Sequence, residues 1–449
     1  MKKKILSIIF AATIGLCGCD SWLTIQPETL ITPEDLYKSP KGFKDALIGC
    51  YQLMERNYSY NGEMTTGTLE HLACSWYVTQ NSDEEKLNLH EYTDEEVDKK
   101  LANIFQSFYK NIANVSELIK AINHNDGVLT QIQHDQYLGE ALGLRAFLHL
   151  ELMRIWGPMP GKVNVSKKYL PFVEQMQIEP YEYLTYDAYM EKVANDLNQA
   201  ETLLAKRESN LSEPEKQYIN YYAILALQAR FHFWMGNHEK AMEYGNKLLQ
   251  PENLSHFPLK DLNITDAKEA LKNETIWHYA FSSSTSVSLS TWYNYKSYIL
   301  SELFENQGGD SRINFWGNDY NTEEGVRVFL TKYDVKKENP LDPEEEVVGE
   351  VPMIRISEIY LMMIELSELD AANKLYREFC TARNLPVIDA TSKGELIQRL
   401  KLEYRREFLG EGQLFYHYKR YGTLEMPRCE RGCGEDAYVL PIPKKEFDL

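Results

Sequence analysis

Basic residues are the first shortage in this 449-residue chain: 48 Lys and Arg stand against 67 Asp and Glu, a formal charge of −19. A surface this acidic repels phosphate backbones, so nucleic acid is excluded as a partner. Catalytic signatures are also missing. There is no H-E-x-x-H, G-x-S-x-G, P-loop or G-x-G-x-x-G, so zinc proteases, α/β-hydrolases, nucleotide hydrolases and dinucleotide enzymes have no footing. Glycoside hydrolysis needs only two suitably placed carboxylates, and no pair stands out among the acids. The 7 cysteines, at 17, 19, 50, 74, 380, 429 and 433, are too scattered for a dense disulfide framework. Beyond the N-terminus no apolar run is long enough to span a bilayer.

What is present begins with an address. Met1-Lys2-Lys3-Lys4 is a basic n-region and Ile5 to Leu16 a short apolar h-region, together a secretory signal. Leu16-Cys17-Gly18-Cys19 resembles a bacterial lipobox, with Cys19 as the lipidated residue; bulky Leu16 disfavours Cys17. An ordinary cleaved signal that happens to contain cysteines is the competing reading. Removal of residues 1–18 takes three lysines, leaving 45 − 67 = −22. More than one acyl chain on Cys19 gives stable membrane anchoring. Residues 19–34 then read as a tether.

The body reads as all-α. Thr32-Pro33-Glu34-Asp35 opens a helix with a cap, a proline at the first position and early acids. Helical periodicity predicts helices at about 95–124, 131–156, 184–206, 214–235, 355–380 and 393–418. Residues 58–80 read as loop, and the acidic run 81–98 as a solvated face. Ala223, Ala226 and Ala229, the Gly236-Asn237 turn, and Ala241 with Tyr244 look like a tetratricopeptide-type helical hairpin. Residues 251–350 lose the period and read as a long loop-rich insertion, with one short strand near 274–281. Loops this long in a compact domain are usually functional. The expected organisation is therefore one domain over 35–449, with helices over about 35–250 and 355–418.

The order of several short motifs resembles the SusD/RagB family of nutrient-binding outer-membrane lipoproteins. Gln26-Pro27 and Gly49-Cys50-Tyr51 are similar to its entry segment. Glu140-Ala141-Leu142-Gly143-Leu144-Arg145-Ala146 resembles its E-A-x-x-L-R-A helix, and Trp156-Gly157-Pro158-Met159-Pro160 the G-x-x-P that follows. Arg355-Ile356-Ser357-Glu358-Ile359-Tyr360-Leu361, Glu403 to Gly412, and Leu440-Pro441-Ile442-Pro443 resemble the later family motifs. Gln413 to Tyr418 depart from the basic and acidic residues usual there. The resemblance implies a tetratricopeptide-like core with an irregular face. It also implies a SusC-like TonB-dependent transporter as partner, and a glycan ligand or, in the RagB branch, a peptide. A scaffold that binds only its transporter is the third reading. No enzyme activity, cofactor or metal is expected.

Aromatic clusters are the candidate ligand platform: Trp76 and Tyr77 with Asn81, then Trp292, Tyr293 and Tyr295, with Trp316 nearby. Flat rings stack on the apolar faces of sugars, while neighbouring polar groups bond hydroxyls. The alternative is that these rings pin long loops to the core. Arg145, Arg355, Glu358, Arg405, Arg406 and Glu411 sit beside apolar stripes and are expected in structural ion pairs. Cys429-x-x-x-Cys433 is a disulfide candidate for an extracytoplasmic loop; free thiols and zinc are the alternatives, and zinc would need two further ligands.

Overall fold

Helices dominate because the long apolar stripes find one another in antiparallel pairs. The computed structural model describes residues 32–55, 59–60, 62–208, 213–260, 267–282, 294–296, 298–304, 309–319, 327–333 and 348–444. The signal segment, Cys19 and most of the tether lie outside the described residues.

After a single turn at Pro33–Leu36 come α1 (Pro40–Glu55), α2 (Thr68–Leu72), α3 (Asp83–Asn88), α4 (Glu95–Asn123) and α5 (Gln131–Trp156). The central element is α5, buried on nearly every side from Tyr137 to Trp156. A capping box of Thr130 and Gln133 starts it, and Gly157-Pro158 ends it. Its glycines are contact points. A Cβ at Gly139 would lie 2.8 Å from Leu204, and one at Gly143 would lie 2.6 Å from Ile224. Missing side chains therefore let α6 (Tyr186–Glu208) and α7 (Tyr221–Trp234) approach closely.

The hairpin expected at 218–249 is α7 with α8 (His238–Leu248). Ala223, Ala226, Ala229 and Ala241 are fully buried between helices. Gly236 turns the chain at φ +72°, and Asn237 caps α8 through Lys240 N. The hairpin then meets α11 (Ile356–Leu366), where a Cβ on Gly245 would fall 2.3 Å from Met363 Sδ. The intervening α9 (Ala267–Glu274) and α10 (Tyr298–Phe304) are short. α12 (Leu369–Ala382), α13 (Lys393–Phe408) and α14 (Leu414–Tyr421) complete the body.

Strand is minor. β1 (Lys168–Pro171) pairs antiparallel with β2 (Tyr183–Thr185). β3 (Thr275–Ser282) is the strand expected near 274–281. β4 (Asn294–Lys296) and β5 (Trp316–Asp319) flank β6 (Arg327–Leu330), and β7 (Val348–Arg355) pairs antiparallel with β3. β3 is pinned on α5 by Trp277, whose ring meets Phe147 edge-on at 4.9 Å. The fold is thus the all-α, tetratricopeptide-like body with little strand.

Three local expectations are corrected. The helix expected over 355–380 breaks at Ser367 and Glu368, both extended, so α11 and α12 fold back on each other. The helix expected over 393–418 breaks at Gly410 (φ +79°) and Gly412 (φ +68°), a backbone region that favours glycine. The stretch 58–80 contains α2, and within the acidic run Ser82 caps α3 by accepting from Glu85 N.

Behind these breaks lies a buried charge network. Arg312, Lys332, Arg355, Arg383 and Arg406 face Glu274, Asp310, Glu403, Glu407 and Glu411, all buried. Arg355 reaches Glu407 at 2.7 Å, Glu411 at 2.7 Å and Glu274 at 3.4 Å. Burial alone would raise the Glu407 carboxyl; Arg383 and Arg355 overrule it and hold it well below the usual range. The cations match the carboxylates one for one, which is what buried charge requires.

Candidate functional site

A cleft of about 420 Å³ opens beside the loop between α2 and α3. It is lined by Glu63, Gly67, His71, Tyr77, Val78, Thr79, Ser82, Glu84 and Lys100. Ser82 caps α3, and buried apolar residues such as Leu72 and Leu87 hold the two helices, so the loop between them is set on a firm base. Tyr77 is 50 % exposed. Glu63 accepts from Thr68 Oγ1 at 2.5 Å and from Thr68 N at 3.3 Å, and Lys100 lies 3.6 Å away. His71 is buried behind them; burial drives its imidazole down to about 4 against the pull of Glu84, so it is neutral at neutral pH. Asn88 Oδ1 lies 3.3 Å from its Nδ1. The result is one aromatic face surrounded by hydroxyls, carboxylates and an ammonium. Such a surface binds a polyhydroxylated ring by stacking and hydrogen bonds.

The structure separates the predicted pair. Trp76 is 3 % exposed, and its indole N–H donates to the Thr66 carbonyl. It is a core residue beside Gly410, which corrects its expected place on the platform. Asn81 is exposed in a left-handed turn (φ +63°), its N–H donating to Glu85 Oε2 at 2.5 Å. Trp316 is half-buried at the start of β5 and does not line the cleft. Tyr295 lies on β4, whose backbone alone is described; Trp292 and Tyr293 lie outside the described residues.

The expected structural charges all make ion pairs. Arg145 grips Asp196 with two bonds of 2.7 and 2.8 Å, joining α5 to α6. Arg230 does the same to Glu358 at 2.8 and 2.7 Å, joining α7 to α11. Arg405 meets Glu302 at 2.6 Å, and Arg406 meets Glu403 at 2.7 Å. Glu411 belongs to the buried network through Arg355 and Lys332. Cys429 and Cys433 are not joined; their sulfurs stand 3.5 Å apart.

Sequence reasoning missed Glu63, His71, Ser82, Glu84 and Lys100. They come from the turn before α2, from α2, α3 and α4, and from the loop between α2 and α3, so no local spacing announces them. A second cavity, about 50 Å³, lies among Arg154, Arg230, Trp234, Tyr404, Tyr416 and Arg420. It has room for a few waters and not for a sugar ring.

Antiparallel helix pairs form a helical scaffold that carries a ring-bearing, wet cleft on a loop at its edge. The comparisons agree. Residues 22–233 match the family model described as "Starch-binding associating with outer membrane". A SusD-like protein of Formosa agariphila, P38, is 28% identical over 256 residues, 54% of this chain and 45% of that protein; a second, P25, is 22% identical over 251 residues. The chain thus aligns with about half the length of these curated relatives. Among solved structures, a SusD superfamily protein from Bacteroides vulgatus superposes with a TM-score of 0.72 at 18% identity, over 91% of this chain and 97% of that one. A laminarin-binding SusD-like protein gives 0.68 at 15% identity, over 92% and 98%. These likenesses speak for the fold. Over residues 22–233 the chain is similar to the SusD-like family. That family is described as outer-membrane associated; among the described residues no helix is long and apolar enough to cross a membrane.

Proposed function

We propose that this protein is a surface lipoprotein, anchored through Cys19, that captures an oligo- or polysaccharide in the Tyr77 cleft and passes it to a SusC-like TonB-dependent transporter. The observation that carries this reading is the half-exposed Tyr77 ring lining one cleft with Glu63, Ser82, Glu84 and Lys100, a cleft large enough for a sugar unit. The rigid helical body supports capture without refolding, which keeps the entropic cost of binding a flexible polymer low. Trp292, Tyr293, Tyr295 and Trp316 are proposed to extend the platform, and Asn81 to bond hydroxyls at its edge. Two supports come from relatives: the starch-binding description of the family and the laminarin-binding protein of the same fold. Binding leaves the glycan intact.

The test is affinity electrophoresis of residues 20–449 through gels containing individual polysaccharides, with reducing-sugar release measured in parallel. Retardation by at least one polymer without sugar release is expected. Migration unaffected by every polymer, with heat released on mixing with oligopeptides, would replace the glycan reading by peptide capture.

A further inference from the structure

Three thiols meet behind the Tyr77 loop. Cys74 follows α2 in a left-handed backbone conformation (φ +52°), and its thiol donates to the Asn88 carbonyl at 3.3 Å. Cys429 points at the same carbonyl from the C-terminal loop, at 3.7 Å. Cys433 lies 3.5 Å from Cys429, sulfur to sulfur. The two loops are fixed side by side by ordinary hydrogen bonds. Arg431 Nη1 donates to the Leu89 carbonyl at 3.0 Å, and the Tyr92 hydroxyl donates to the Ala437 carbonyl at 2.5 Å. Meeting thiols are therefore built into the packing of two segments from opposite ends of the chain.

The surroundings favour chemistry at the middle sulfur. His90 is buried, with Nε2 against the Leu72 carbonyl at 2.9 Å. That contact places the ring proton on Nε2 and leaves Nδ1 as a lone pair. Nδ1 is buried with no hydrogen-bond partner. The Cys74 thiol, above all, holds the Cys429 thiol below its ordinary value, and burial opposes it. Thiolate character of this kind marks a reactive cysteine.

We propose that Cys74 and Cys429 are a disulfide-forming pair that staples the Tyr77 loop to the C-terminal loop, with Cys433 as a third thiol competing for Cys429. The chemistry balances with an external disulfide as oxidant. Cys429, as its thiolate, attacks one sulfur of that disulfide and releases one thiol. Cys74 then attacks the Cys429 sulfur, forming the internal bond and releasing the second thiol. Two electrons leave the protein for the external disulfide, and the two cysteine protons end on its two thiols. If Cys433 has already paired with Cys429, Cys74 displaces it with no net oxidation: one sulfur–sulfur bond forms, one breaks, and the proton moves from Cys74 to Cys433. The staple's effect on the cleft rests on the proposed glycan-binding function; the linkage itself does not.

The test is disulfide mapping of residues 20–449. The protein is oxidised with oxidised glutathione, alkylated, digested without reduction and read by mass spectrometry. Wild type is expected to yield a peptide pair joined through Cys74 and Cys429, beside a local Cys429–Cys433 link. Cys433→Ser shifts the link wholly to Cys74–Cys429, Cys74→Ser leaves only the local link, and Cys429→Ser abolishes both. Circular dichroism and the thermal midpoint check that each variant is folded. The proposal is overturned if folded Cys433→Ser keeps Cys74 and Cys429 alkylated after oxidation. It is equally overturned if wild type shows only the local link, or if its thiols resist oxidation while holding one equivalent of zinc. Loss of glycan binding with the staple intact would overturn the function and not this linkage.

Discussion

Arg355 and Glu407 form a fully buried ion pair, Nη1 to Oε1 at 2.7 Å, with the second guanidinium nitrogen donating to the Glu407 carbonyl at 3.0 Å. The pair locks the end of β7 to the end of α13, and Arg383 shares the same carboxylate from α12's C-terminal side. Truncating one member strands the others in a low-dielectric interior. Arg355→Met is therefore expected to destabilise the fold by about 3–5 kcal/mol. The exposed Arg377–Asp389 pair, cut by Arg377→Ala, should cost less than about 1 kcal/mol. Urea unfolding of both variants checks the contrast.

The break between α13 and α14 depends on Gly412. Its φ is +68°, and a Cβ there would sit 2.0 Å from the Met64 carbonyl oxygen. Gly412→Ala should lower stability by several kcal/mol, roughly the scale of strain plus overpacking. Gly432 has open space, with nothing within 4 Å of where a Cβ would sit, and should accept Ala within about 0.5 kcal/mol. Thermal midpoints of the two variants measure the difference.

The same break shapes the pH dependence. Glu70 is buried and accepts from Gly412 N at 2.9 Å and Gly410 N at 3.1 Å. Burial pushes its carboxyl up to about 7, against the opposing pull of Ser75, the two glycine amides and Lys332. The folded state therefore holds the Glu70 proton more tightly than the unfolded chain does. This contribution to stability is fully present below the ordinary carboxylate range and is lost as pH rises to about 7, by on the order of 3 kcal/mol. Glu70→Gln should flatten the stability profile between about pH 5 and pH 7.5, read by urea midpoints across a pH series. An unchanged slope would show that Glu70 is ionised throughout.

Much of this was legible in the sequence, for physical reasons. The helices at 95–123 and 131–156 follow from long uninterrupted periodicity, and Gly236-Asn237 marks a tight turn with its own cap. The breaks at Ser367 and Gly410 were hidden because the apolar period continues through them; tertiary contacts, Met64 and Glu70 among them, decide the backbone there. In the site, Trp76 and Tyr77 read alike in sequence. The core takes one ring, through the Thr66 carbonyl, and leaves its neighbour in solvent. Partners such as Lys100 come from another helix and leave no local trace. Arg145 and Arg355 were readable as ion-pair members, but Asp196 and Glu407 became their partners only through the fold.

The two adjacent rings should part company experimentally. Trp76→Ala removes a buried indole and should cost about 3–5 kcal/mol of stability. Tyr77→Ala should leave the thermal midpoint within about a degree or two of wild type, because half of its surface is already in water. Differential scanning calorimetry of the two variants checks this directly.

Whether the glycan sits against Tyr77 is decided by calorimetric titration of a retained polysaccharide fragment into wild-type protein and into folded Tyr77→Ala. Measurable heat is expected with wild type, and a roughly ten-fold weaker association in the variant, a loss of about 1.4 kcal/mol, at an unchanged thermal midpoint. Equal affinity in the two proteins would contradict the proposed role, because the cleft beside Tyr77 would then not be where the glycan binds.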